Sequence, residues 1–161
     1  MENVWHTLEG TQAAIWVKTS TWAYPLLETA HVIGLGLLFG SIFVLDLRLM
    51  GVGRPLPLNL LARHMLPWVW TGFIVNAVSG ALLFMSDAAE FAANTAFRVK
   101  IVLILLAGLN AAYFHARAYR YAVEVDPARH DIPRASLLAA LVSIALWVSV
   151  ITAGRMIAYV E

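Results

Sequence analysis

The sequence predicts an all-α polytopic membrane protein: a four-helix up-down bundle with an N-terminal interfacial helix, all within one domain of residues 1–161. Three observations carry this reading. Hydrophobic residues make up 61% of the chain and charged residues 13%, where soluble domains run at about 45–50% and about 25%. The apolar residues are gathered into four long runs, each near the ~20 residues that a helix needs to cross ~30 Å of hydrocarbon. None shows the strict alternation of a membrane β-barrel, so helices are the way to satisfy the backbone in lipid.

The elements follow in order. Val4, Trp5, Leu8, Ile15 and Trp16 recur at helical spacing beside Glu2, Glu9 and Lys18, which predicts a helix over about 3–18, lying in the interface or packed on the bundle end. The first span runs over about 24–45 (YPLLETAHVIGLGLLFGSIFVL), interrupted by Glu28 and His31. The second covers about 66–85 with Pro67 in its first turn, where a missing N–H is tolerated. The third covers about 96–119 and the fourth about 137–159. Gly/Pro-rich GVGRPLPLN joins the first two spans, and Asp126-Pro127 with Ile132-Pro133 break the chain before the fourth. The opening MENVWHTLEG has neither a basic segment nor a short apolar core, so it reads as mature protein and not a cleaved signal peptide.

Arg48, Arg54, Arg63, Arg117, Arg120, Arg129 and Arg134 flank one side of the predicted bundle, against Lys18, Arg98, Lys100 and Arg155 on the other. The positive-inside rule then places both termini outside the cytoplasm. A net charge of +1 without like-charge runs gives no nucleic-acid footprint. The absence of cysteine excludes disulfides and thiolate metal sites. No HExxH, phosphate loop or nucleophile with its base argues for a soluble-type enzyme.

Function is sought in polar residues placed where lipid should be, because a charge in a span is costly without a partner. Glu28, His31, Lys100 and Arg155 form a predicted outer layer; Asp46, Arg48, His64, His115 and Arg117 an inner one; Asn76, Ser79 and Asn110 lie between. His64 and His115, on antiparallel helices at one depth, present the pattern of axial haem ligation, with Arg48, Arg63 and Arg117 near propionates. His31 with Lys100 and Arg155 suits a second haem; Met85 and Met156, at the level of His31, add thioethers that suit copper. His31 and His115 lie about 15 Å apart in depth, at 1.5 Å per residue over ten residues, so they serve separate sites. Each residue also has a plain reading as a register-setting ion pair, boundary histidine or packing methionine. The expected roles are a b-type haem protein with a redox partner, an oligomeric channel or transporter with Glu28, His31 and Lys100 as relay, or a copper-handling protein. Gly34, Gly36, Gly40 and Ser41 give the first span a small-residue face for another helix, a second protomer or a flat cofactor.

TWAYPLLETAHVIGLGLLFGSIFVLDLRLMG, LARHMLPWVWTGF with SGALLF, FRVKIVLILLAGLNAAYFH and AGRMIAY together resemble a family of small bacterial inner-membrane proteins of unknown function. The resemblance covers nearly the whole chain. It implies a bacterial inner-membrane location and puts Glu28, His31, Asp46, Arg63, Lys100, Asn110, His115 and Arg155 on the family's recurring polar positions, while His64 departs from the pattern. More distantly the chain resembles the four-helix CopD-type copper-resistance membrane domain, through a glycine-containing second helix and the lysine and asparagine of the third.

Overall fold

The computed structural model describes residues 2–53, 55–118 and 134–160, and all regular structure within them is helical. In order these are α1 (Glu2–Glu9), α2 (Gln12–Thr19), α3 (Ala23–Leu49), α4 (Leu58–Ser86), α5 (Ala88–Ala93) and α6 (Thr95–Tyr113). A π-helical turn over Phe114–Ala118 extends α6, and α7 covers Arg134–Met156. Arg54, Tyr119, Arg120, Arg129, His130 and both Pro-containing breaks lie outside the described residues, as does the side chain of Arg117.

Four helices are long and apolar enough to cross a membrane: α3, α4, α6 with its π-helical extension to Ala116, and α7. The 27 residues of α3 reach about 40 Å, more than the ~30 Å hydrocarbon core. Val32, Ile33, Ile74, Val78, Leu105, Leu109, Leu138 and Val148 stand exposed on these helices, a surface only lipid tolerates. The protein is a multi-pass integral membrane protein.

The interior is built from small side chains, as expected where no hydrophobic force drives helices together and close packing must hold them. Buried positions include Gly34, Leu38 and Ser41 on α3, Ala62, Gly72 and Ser79 on α4, and Ala139, Ala140 and Ser143 on α7. The tightest seam joins α3 to α4. A Cβ on Gly72 would sit 2.5 Å from the Leu38 nitrogen and 2.6 Å from the Gly34 carbonyl oxygen, so only glycine fits. Gly34 likewise meets Asn76 and Val75. Gly36 and Gly40, on the same small-residue series, have nothing within 4 Å of a Cβ and take no part in this seam.

α6 packs along α7, and α3 along α7, completing the row α4, α3, α7, α6. The ends of that row, α4 and α6, approach each other only marginally. Neighbours in sequence are neighbours in space for α3–α4 and α6–α7, but not for α4–α6.

Two details differ from the sequence expectation. The N-terminal segment is two helices: the chain turns at Gly10, and the Thr11 side chain accepts the Ala14 N–H to start α2. Ala14 and Val17 are buried while Ile15 and Trp16 are exposed, so α2 packs on the bundle end. Pro67 lies inside α4, because the helix starts at Leu58, ahead of the apolar run.

A collar closes the end of the bundle that holds both termini. Lys18 Nζ pairs with Asp87 Oδ1 at 2.7 Å, and Glu9 accepts the Ala89 N–H at 2.9 Å. Trp5 meets Phe84 edge-on, and Phe84 stacks on Phe97 at 5.3 Å. Asn94 caps α6 by accepting the Phe97 N–H, and its amide donates to the Ile157 and Val160 carbonyls beyond α7.

Two predictions follow from this packing. Gly72→Ala forces two backbones apart and lowers the unfolding temperature in detergent, at a cost of about 1–3 kcal/mol, whereas Gly36→Ala leaves it unchanged; equal effects would refute the seam. The Ala89 N–H holds the Glu9 carboxyl below the usual range, and the hydrogen bond to Asp87 holds the Lys18 ammonium above its own. The Glu9 contribution is present at neutral pH and lost as pH falls through its depressed pKa. The Lys18 contribution is present below the ordinary lysine pKa and lost as pH rises through its raised pKa. A spin label on Ala13→Cys, the only cysteine in that chain, should gain mobility in acid, below the ordinary glutamate range, and again in base, above the ordinary lysine range. Mobility independent of pH would remove these two bonds as the clamp.

Candidate functional site

Polar side chains enter the bundle at two depths. Toward the termini, half-buried His31 on α3 leans on α4, where Gly80 leaves it room: a Cβ there would lie 3.0 Å from the imidazole Cε1. Ser79 Oγ lies 3.0 Å from His31 Nδ1 and 2.6 Å from the Val75 carbonyl. A serine in a helix donates its single proton back to the carbonyl four residues earlier. With that proton used, Ser79 is an acceptor toward the histidine, the arrangement that favours a proton on Nδ1. The backbone of Asn76 is a further hydrogen-bonding partner for the ring.

Lys100 on α6 comes close enough for its charge to act on His31. Its ammonium crosses to α7 and rests over Gly154, 3.3 Å from where a Cβ would be. Among the described residues no carboxylate lies within ion-pair distance of it. Glu28, one turn before His31, is exposed. Arg155 bonds the Tyr159 hydroxyl at 3.0 Å and lies over the same ring. Of the four residues predicted to form an outer layer, the structure thus brings His31 and Lys100 together and turns Glu28 and Arg155 outward. Met85 is half-buried near the end of α4 and Met156 is exposed at the end of α7. The Asn76 amide donates to Gly72 of its own helix.

Toward the opposite end, the gap between α4 and α6 forms a cavity of about 390 Å³. Its walls are mostly Leu, Ile, Ala and aromatic side chains, with Asp46, Asn110, Ser143 and His115 as the polar lining. Asp46 is 6% exposed. Ser143 hydrogen-bonds its carboxyl, yet Oδ2 is fully buried without a partner. The Asn110 amide donates to the Ala139 carbonyl at 3.0 Å. His115 reaches this cavity from the π-helical turn, a form that recurs at functional sites.

His64 is exposed, outside that lining, with Nδ1 2.8 Å from the Leu60 carbonyl of its own helix. Arg63 is exposed as well. The expected pairing of His64 with His115 rested on α4 and α6 lying side by side, and the cavity separates them. Arg48 is buried and donates to the Leu56 carbonyl, holding the turn after α3. Sequence reasoning missed Ser143 and the cavity. The signal was the series Ser136, Ala139, Ala140 and Ser143, a small-residue face on α7. Among the described residues no three His, Cys, Asp or Glu side chains group to hold a metal ion.

No curated protein and no solved structure matches the chain. The family of unknown function DUF6644 matches it over residues 13–160, from α2 through all four membrane helices, and the chain belongs to that family.

Proposed function

We propose that the protein is a b-type haem electron-transfer protein of the bacterial inner membrane, with His31 as the residue that would hold the iron and both termini outside the cytoplasm. One observation carries the reading: the Ser79 hydroxyl, which donates to the Val75 carbonyl, is an acceptor for a proton on His31 Nδ1, and that tautomer would offer Nε2 to a metal. Second-shell hydrogen bonds of this kind orient metal-binding histidines generally.

The surrounding residues fit a haem in kind. Lys100 supplies an ammonium without a carboxylate partner among the described residues, suited to a propionate. Met85 and Met156, toward the same end, are thioethers that could add to its coordination. His115 lies on the cavity at the opposite end and does not share the iron. The Asp46 carboxyl in that cavity is a poor neighbour for propionates, which supports the His31 side for a cofactor. Bound there, haem would carry single electrons between a membrane donor and a soluble or membrane partner. His31 would hold the iron, Ser79 would keep the imidazole oriented, and Lys100 would offset propionate charge.

Copper on His31 and the same methionines is the competing form of this reading. The oligomeric relay loses weight because Glu28 faces away from Lys100.

Protein purified from haem-supplied cells should show a Soret band, and an α band after dithionite. His31→Ala should lose both while keeping its helical circular dichroism. Lys100→Met should keep them with a lowered midpoint potential, since removing a nearby positive charge favours the ferric form. A colourless protein ends the haem reading, and stoichiometric copper in that sample would replace it.

A further inference from the structure

The cavity between α4 and α6 is not used by the His31 site and has features of its own. Its floor is α3 and α7, and its two lips are α4 and α6, whose marginal approach leaves the opening toward the hydrocarbon. Trp70 and Phe73 on the α4 lip are themselves exposed at that surface. A ligand would therefore enter from the lipid and not from water.

Inside, one polar atom stands apart. Asp46 Oδ2 is buried without a hydrogen-bond partner. An orphaned carboxyl oxygen in an apolar wall is among the most expensive features a membrane helix carries. Asn110, His115 and the two tryptophans bring N–H groups to the lining, but Oδ2 is the polar atom there that is fully buried without a partner, and a donor is what completes it. The complementary ligand presents a hydroxyl. Its body must be apolar to match the walls, and Phe73, Trp70 and Trp147 offer aromatic faces for a flat ring. About 390 Å³ is within the ~300–1,000 Å³ range of small-ligand sites.

We infer that this cleft binds a membrane-soluble hydroquinone, its ring among the aromatic side chains and one hydroxyl donating to Asp46 Oδ2. The inference rests on the cleft alone and stands or falls independently of haem at His31.

The test uses the full chain in nanodiscs, with a decyl-tailed hydroquinone kept reduced under argon as the probe, and tryptophan quenching as the readout because Trp70 and Trp147 line the cleft. Saturable binding is expected. The dimethyl ether of the probe, which has no donor, should bind about ten- to a hundredfold more weakly, as should the hydroquinone to Asp46→Leu. Asp46→Leu should keep its helical circular dichroism, so that the lost affinity reports the carboxyl and not the fold. Ala111→Trp, which fills the cleft and leaves Asp46 intact, should abolish binding. Equal affinity for hydroquinone and ether, no saturable binding, or unchanged affinity in Asp46→Leu each overturns the proposal and leaves the cleft to a lipid acyl chain.

Discussion

The arrangement depends on how closely α3 and α4 approach. At Gly72 the backbone of α4 lies against the Leu38 nitrogen and the Gly34 carbonyl of α3, with no space for even a methyl group. Water squeezes helices together in a soluble bundle, but in lipid the hydrocarbon chains are as apolar as the side chains they replace, so contact quality decides which helices pair. A glycine-to-backbone seam is the closest contact available, and α4 is committed to it. The position of α4 against α3 then leaves it unable to close on α6, and the cleft is what remains.

The polar residues follow the same geometry. His31 contacts Ser79 across the α3–α4 seam, Asn110 bonds Ala139 across α6–α7, and Ser143 bonds Asp46 across α3–α7. Each links a pair of helices already in contact, and each satisfies a group that lipid cannot. In a membrane such bonds are worth about 0.6–2 kcal/mol apiece, enough to fix helix register though too little to assemble a bundle. The seam sets the pairs, and the polar contacts set how each pair is registered.

Run length made the four membrane helices legible in the sequence, because the ~20-residue requirement is one-dimensional and so is a sequence. Depth was legible for the same reason: Lys100 lies near enough to His31 for its charge to act on the imidazole. Rotation about the helix axis was not. Glu28 and His31 lie three positions apart, some 60° on a helical wheel, and that angle is enough to put His31 inward and Glu28 outward. Arg155 found a partner one turn away in Tyr159, a local contact that competes with any distant one. Which helices touch was also beyond reach, since sequence order suggested α4 beside α6 and the glycine seam took α4 elsewhere.

The two sites are nonetheless different in kind. His31 and Asp46 are fifteen residues apart on α3, about 22 Å at 1.5 Å per residue, so they lie toward opposite ends of the hydrocarbon. At the first, the protein uses one nitrogen of a side chain and leaves the other electron pair, beside a cation without a carboxylate partner among the described residues. At the second, it uses one part of a carboxyl and leaves an oxygen, in apolar walls with no cation among the lining residues. Each residue registers its helix pair, through Ser79 at the first and Ser143 at the second, and at Asp46 that contact leaves Oδ2 unused. Both stand on α3, which α4 and α7 hold between them, so an occupant at either end would add its contact to the most closely packed helix of the bundle.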